Sequence, residues 1–391
     1  MKILLLEDNA AKRLEIKKAI LDFEPNATIT EISNAFDYIK KVSSQEFDLI
    51  LLDLVIPRSS KEPKVEDHSH QLVDATRAPD SKAFKTPAIV LTEYVEDSEE
   101  FFSVLNNVDI NVISFDEEGH WKSALELKVI AARPKVKFDY VIICALTKEA
   151  EAFQGIVEEF GPLKTVNGLL CHEIRINESR GVVVELPRMG LVSSAVIASY
   201  AIERFEPKLI CMSGICGGVP GESKIYDVLV TDVCHQHDVG KWTDNGFKVE
   251  HYDVQVETKI RNRLKELISD VKLKEFLEKN IDPKRTEFPR NVNSISPAIR
   301  LASTSSGSAV IAQEGKTASL SDSQRKLAGF DMEIYAVFEA ARLSENKPGF
   351  FAAKSVVDDG DKNKGDRFHR IGSLLSAKFI VAAVRSGIEK I

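Results

Sequence analysis

Apolar and polar residues fall along this chain in blocks that read alternately as strands and helices. Lys2 to Leu6 is a short apolar strand running into Glu7-Asp8-Asn9, and Ala10 to Leu21 follows as an amphipathic helix. Ala27 to Ile32 reads as a weaker strand and Ala35 to Ser43 as a helix. Phe47 to Asp53 is a buried strand ending in a carboxylate, and Pro87 to Thr92 another ending in a hydroxyl. Asn111 to Phe115 makes a fifth strand, closed by a helix over Trp121 to Ala131. Strands alternating with helices predict a doubly wound parallel sheet of five strands. The long polar segment between Asp53 and Thr92, with His68 and His70, reads as a hydrophilic loop with solvated histidines.

A second series begins after Arg133-Pro134-Lys135-Val136-Lys137, where Pro134 stops the preceding helix. Asp139 to Leu146 is an apolar strand entering a helix at Thr147, with Thr147 as N-cap and Glu149 in the first turn. Val182 to Glu185 is a strand, followed by Pro187-Arg188-Met189-Gly190 and a small-residue helix over Ser193 to Phe205. Leu209 to Gly218 is a strand entering a glycine-rich turn, where a ligand can approach the backbone. Thr258 to Arg290 is helical and dense in both charges, a solvated face with basic residues available to polyphosphate. A Ser/Gly-rich stretch leads into Ala309-Val310-Ile311, and Asp331-Met332-Glu333 opens a helix through Ala341. Phe350 onward is a buried strand ending in Asp358-Asp359-Gly360-Asp361, and Ser373 to Ile388 is the last helix.

The 391 residues fit two domains, 1–132 and 138–391, joined by a linker over 133–137. A hydrophobic fraction of 43% suffices for two cores. The formal charge of −8 argues against a nucleic-acid partner. No apolar run is long enough to span a bilayer, and the N-terminus lacks a signal-peptide cleavage site. Five cysteines with no zinc spacing, most of them in apolar runs, read as reduced, buried thiols of a cytoplasmic protein.

In a parallel sheet, strand C-termini gather at one edge. That edge of the first domain would collect Glu7, Asp8, Asp53 and Thr92. Clustered carboxylates need a cation, and hard oxygen ligands suit Mg²⁺. With these residues, 1–132 resembles the receiver domain of bacterial two-component response regulators, a flavodoxin-like fold. The resemblance implies Mg²⁺ held by Glu7, Asp8 and Asp53, phosphorylation of Asp53 by a histidine kinase or phosphotransfer partner, and Thr92 as switch hydroxyl. The family's lysine after the fifth strand is missing from Ile113-Ser114-Phe115-Asp116.

In the second half, local pattern alone reads Glu149 as a helix-dipole partner, and Asp358-Asp359-Gly360-Asp361 either as a strand end delivering acids to a cleft or as a simple turn. Ser213-Gly214-Ile215-Cys216-Gly217-Gly218, Gly307 to Val310, Asp331-Met332-Glu333 and Val356 to Asp361, in this order, resemble the nucleoside phosphorylase and nucleosidase superfamily. That resemblance implies an α/β domain with a mixed central sheet and no cofactor for N-glycosidic hydrolysis. Glu149 would activate water, Met332 lie under the sugar, Glu333 bind the ribose hydroxyls and Asp358 protonate the purine. Asp359 and Asp361 would tune Asp358 as like charges, or simply make the turn. Ala309 to Ile311 would lie beside the base, with Gly214 and Ile215 in the glycine-rich wall. Met212 stands where phosphorylase members carry an arginine, favouring water as nucleophile, with Arg188 able to supply a charge from elsewhere. A receiver joined to such a domain resembles the effectors of Detocs-type phage-defence systems, implying gated hydrolysis of ATP to adenine and ribose triphosphate. Action on unphosphorylated nucleosides and a nucleotide-sensing module without turnover remain alternatives. The superfamily's habit of assembling implies a homo-oligomer.

Overall fold

The computed structural model describes residues 1–92, 105–133, 136–244, 246–290, 292–311, 324, 326–360 and 365–391. Pro134 and Asp361 lie outside the described residues. The chain divides into two units, Met1–Lys135 and Val136–Ile391.

In the N-terminal unit Lys2–Leu6 pairs in parallel with Thr28–Ile32 on one side and Leu49–Leu52 on the other. Ala88–Thr92 and Ile110–Ser114 continue the parallel sheet, giving strand order 2-1-3-4-5. Leu49 to Leu52 are buried throughout, as their unbroken apolar run requires of a strand covered on both faces. Helix Ala10–Phe23 starts where Asn9 Oδ1 accepts from the Ala11 and Lys12 amides. Helices Ala35–Ser44 and Trp121–Ala131 complete the expected pattern.

The polar segment after Asp53 is not a loop. Val55–Ser59 and Glu62–Asp67 form a hairpin, and Ser69–Arg77 is a helix. The hairpin's second strand is largely exposed, so it lacks an apolar alternation. The helix buries Ser69, Leu72, Val73 and Thr76, and Thr76 Oγ1 lies 2.6 Å from Tyr38 Oη in the core. His70 is exposed and His68 half-buried.

The C-terminal unit is built on a mixed sheet of eleven strands. At its centre Leu209–Gly218 runs parallel to Tyr140–Cys144 and to Gly349–Asp358, and its end pairs antiparallel with Leu327–Asp331. Ile299–Ser306 lies parallel to both Leu327–Asp331 and Val228–Gln236. The register sets Ser213 opposite Cys144, Gly214 opposite Lys354 and Gly217 opposite Asp358. Four motifs far apart in sequence are thereby brought to one edge of the sheet. The last helix, His369–Arg385, begins earlier than its apolar face suggests and packs Phe379 against Phe351. The charged stretch after Thr258 divides into helices Thr258–Ser269 and Val271–Glu278, with Asp270 capping the second. All five cysteines are free and buried. No helix among the described residues is long and apolar enough to cross a membrane.

Candidate functional site

Two carboxylate-bearing sites stand at strand ends, one in each unit. In the C-terminal unit, a cavity of about 350 Å³ is lined by Glu149, Ile215, Ala309 to Ile311, Asp331 to Glu333, and Asp358. A larger surface cleft of about 690 Å³ beside Tyr335, Glu339 and Arg342 is lined by none of the acids the sequence points to.

Glu149 comes from a single helical turn, Thr147–Glu151, whose N-cap is Leu146 and not Thr147. Thr147 Oγ1 donates instead to Glu185 Oε2 at 3.0 Å. Glu149 is therefore more than a dipole partner. Its Oε2 accepts from the Ala145 and Leu146 amides at 2.8 and 3.0 Å, and its Oε1 from the Ile215 amide at 2.9 Å. A Cβ on Gly214 would lie 2.3 Å from Glu149 Oε1, so only glycine leaves room for this carboxylate. Gly214 itself is behind the cavity wall that Ile215, Cys216 and Gly217 form. Burial pushes the Glu149 pKa up to about 7; the Lys354 ammonium opposes that rise and the Glu333 charge adds to it.

Glu333 stands at the N-cap position of the helix Ile334–Leu343 without a side-chain cap bond, and its Oε1 accepts from the Gly190 amide at 3.3 Å. Its Oε2 accepts from Lys354 Nζ at 2.8 Å, and the same ammonium sits 2.7 Å from Asp331 Oδ2. Asp331 also accepts from Ser306 Oγ at 2.5 Å and from the Ile334 amide at 3.1 Å. Lys354 is 1% exposed. Its neighbouring carboxylates hold its pKa well above the usual lysine value despite burial. Sequence reading missed this residue, although a lone lysine inside Phe350 to Val357 was a visible signal. Asp358 is buried at the end of its strand and accepts from the Gly360 amide at 2.9 Å, while Asp359 is exposed.

Arg188 does not line the cavity; it is exposed, and its neighbour Met189 lines the wall instead. No residue of 258–290 lines it either, and Arg261 is engaged by Asp232 through two bonds of 2.6 and 2.9 Å. Among the lining residues, Lys148 and His369 are the groups able to carry positive charge, with Nζ and Nδ1 2.5 Å apart.

In the N-terminal unit Glu7, Asp53 and Thr92 stand at neighbouring strand ends, with Glu7 and Thr92 buried. Asp53 Oδ1 accepts from the Val55 amide at 3.2 Å. Asp53 Oδ2 lies 2.6 Å from Lys12 Nζ, which also meets Glu7 Oε2 at 2.8 Å. Sequence reading missed Lys12 as well. Asp8 is half-buried, and among the described residues no three His, Cys, Asp or Glu side chains gather as a metal-binding group. The expected set of Glu7, Asp8 and Asp53 is thus not assembled.

A family model for the phosphorylase superfamily matches residues 139–385. An uncharacterized protein, y4jS, of Sinorhizobium fredii is 26% identical over 98% of both chains. ATP nucleosidase Cap17 of Escherichia coli is 22% identical over 61% of this chain, and the match spans 49% of that protein. A 5'-methylthioadenosine/S-adenosylhomocysteine nucleosidase of Colwellia psychrerythraea, solved with adenine, shares the fold. Its TM-score is 0.51 at 18% identity, over 64% of this chain and 96% of that one.

Replacing Lys354 by Met leaves Asp331 and Glu333 buried with no cation. Breaking a buried ion pair from one side costs about 3–5 kcal/mol. The unfolding midpoint of the C-terminal unit in Lys354→Met, followed by urea titration, is expected to fall accordingly, with Lys354→Arg closer to wild type. An unchanged midpoint would refute the counter-ion role.

Proposed function

The chain belongs to the phosphorylase superfamily, and from that premise we propose that its C-terminal unit is a purine nucleotide N-glycosidase. It uses water to split ATP and related adenine nucleotides into free base and ribose phosphate. The observation that carries this reading is the convergence of Glu149, Glu333 and Asp358 on one cavity. In the reaction the bond from ribose C1′ to purine N9 breaks and its electron pair passes to the base. Asp358 delivers a proton to the purine, and Glu149 takes one from the water whose oxygen bonds to C1′. Each positioned proton transfer contributes roughly 10²–10⁴-fold. Glu333, steadied by Lys354 and the Gly190 amide, accepts from the ribose hydroxyls over Met332. A buried carboxylate at Glu149 would repel a phosphate nucleophile, which favours water.

The phosphates of a nucleotide need cations and a path to solvent. Lys148 supplies the charge at the cavity wall, with His369 beside it, and likeness to a protein named ATP nucleosidase supports the same substrate class. The N-terminal unit serves as a receiver-like regulatory domain, with Asp53 as the site acted on by a histidine kinase or phosphotransfer partner. Its strand order 2-1-3-4-5 and the strand-end positions of Asp53 and Thr92 support that part. Because ATP depletion is toxic, gated hydrolysis suits an antiviral effector.

The full chain, with and without beryllofluoride plus Mg²⁺, which together must displace Lys12 from Asp53, is expected to release adenine from ATP in the activated state, resolved by chromatography. Adenine from adenosine or methylthioadenosine alone would refute the nucleotide preference, and no base release at all would favour the binding module. Asp358→Asn should lower base release at least about hundredfold while circular dichroism stays unchanged. Gly214→Ala, by pushing Glu149 from its amides, should cost roughly as much. Glu149 works as the ionised base, so with its pKa raised to about 7 the rate should rise with pH through neutrality. A rate flat between pH 5 and 8 would exclude Glu149 as the base.

A further inference from the structure

The acid pocket of the N-terminal unit already contains a cation of its own. Lys12 Nζ lies 2.8 Å from Glu7 Oε2 and 2.6 Å from Asp53 Oδ2, and donates to the Leu91 carbonyl at 3.1 Å. An ammonium has three N–H donors, and these three acceptors take them all. Lys12 is 5% exposed and Glu7 1%. The lysine projects from the first turns of the helix Ala10–Phe23, fixed by the Asn9 cap and by Arg13, which donates to the Glu7 carbonyl at 2.8 Å. On the far side the Phe115 ring centre lies 5.5 Å from Nζ, within cation–π range, and stacks on Trp121 at 4.8 Å.

We infer that Lys12 takes the place of a divalent metal in this pocket, a tethered counter-ion that keeps Mg²⁺ out while it stays bound to Glu7 and Asp53. Mg²⁺ requires a near-octahedral shell of oxygens at about 2.0–2.1 Å. Two oxygens it would need are committed to the ammonium, and Asp8 joins no ligand group with them. A dication would also stand beside a fixed positive charge in a poorly solvated site, where like charges repel strongly. Any group that reaches Asp53 Oδ2 must first displace Lys12. The inference is independent of the hydrolytic reading of the C-terminal unit.

The test is calorimetric titration of Mg²⁺ alone into the metal-stripped, nucleotide-free full chain. Wild type is expected to show no saturable binding at millimolar Mg²⁺. Lys12→Ala should gain a site at least about tenfold tighter, equivalent to about 1.4 kcal/mol, and Lys12→Ala combined with Asp53→Asn should lose it. Lys12→Met, which keeps the buried stem, carries the same comparison should the alanine variant fail to fold. Saturable wild-type binding that Asp53→Asn abolishes would overturn the inference. So would a folded Lys12 variant that binds Mg²⁺ no better than wild type. Should neither variant fold, wild type against Asp53→Asn decides alone.

Discussion

One ammonium group, Lys354 Nζ, makes the acidic edge of the large sheet possible. Glu149, Asp331 and Glu333 are all buried. Carboxylates gathered in a poorly hydrated site tend to neutralise one another by taking up protons. Lys354 lies 2.7 and 2.8 Å from two of them and its field reaches the third. The same Asp331 that faces it also accepts the Ile334 amide, where the next helix begins. Charge balance and helix start are therefore one arrangement, and together they aim Glu333 into the cavity.

A comparable solution recurs in the N-terminal unit, where Lys12 meets Glu7 and Asp53. In both sites a lysine reaches acids on other elements, and the pairing cannot be read from neighbouring residues. The two differ in what is left over. Lys12 exhausts its donors on protein oxygens, whereas beside Lys354 the cavity still exposes a carboxylate wall to a ligand.

Much of the architecture was legible because local pattern and tertiary role agree. Leu49 to Leu52 read as a buried strand and is one. Glu149, Met332, Glu333, Asp358 and Ala309 to Ile311 all line one cavity, and the ordered series of motifs points to each of them. Where reading failed, side-chain direction was responsible. Arg188 and Met189 are adjacent, yet only Met189 lines the wall. The hairpin at 55–67 lacks an apolar stripe because its second strand is exposed on both faces. Lys12 and Lys354 were passed over because a charge on a buried face is invisible without its partner.

The three amides that hold Glu149 belong to Ala145, Leu146 and Ile215. They are main-chain groups, present whatever side chains those positions carry. The cavity walls at Leu146, Met189, Val310 and Ile311 can therefore be exchanged while the Glu149 carboxylate keeps its place. Such a division leaves the chemistry insulated from changes in ligand preference. Related chains can diverge along these walls without first rebuilding the cradle that holds Glu149.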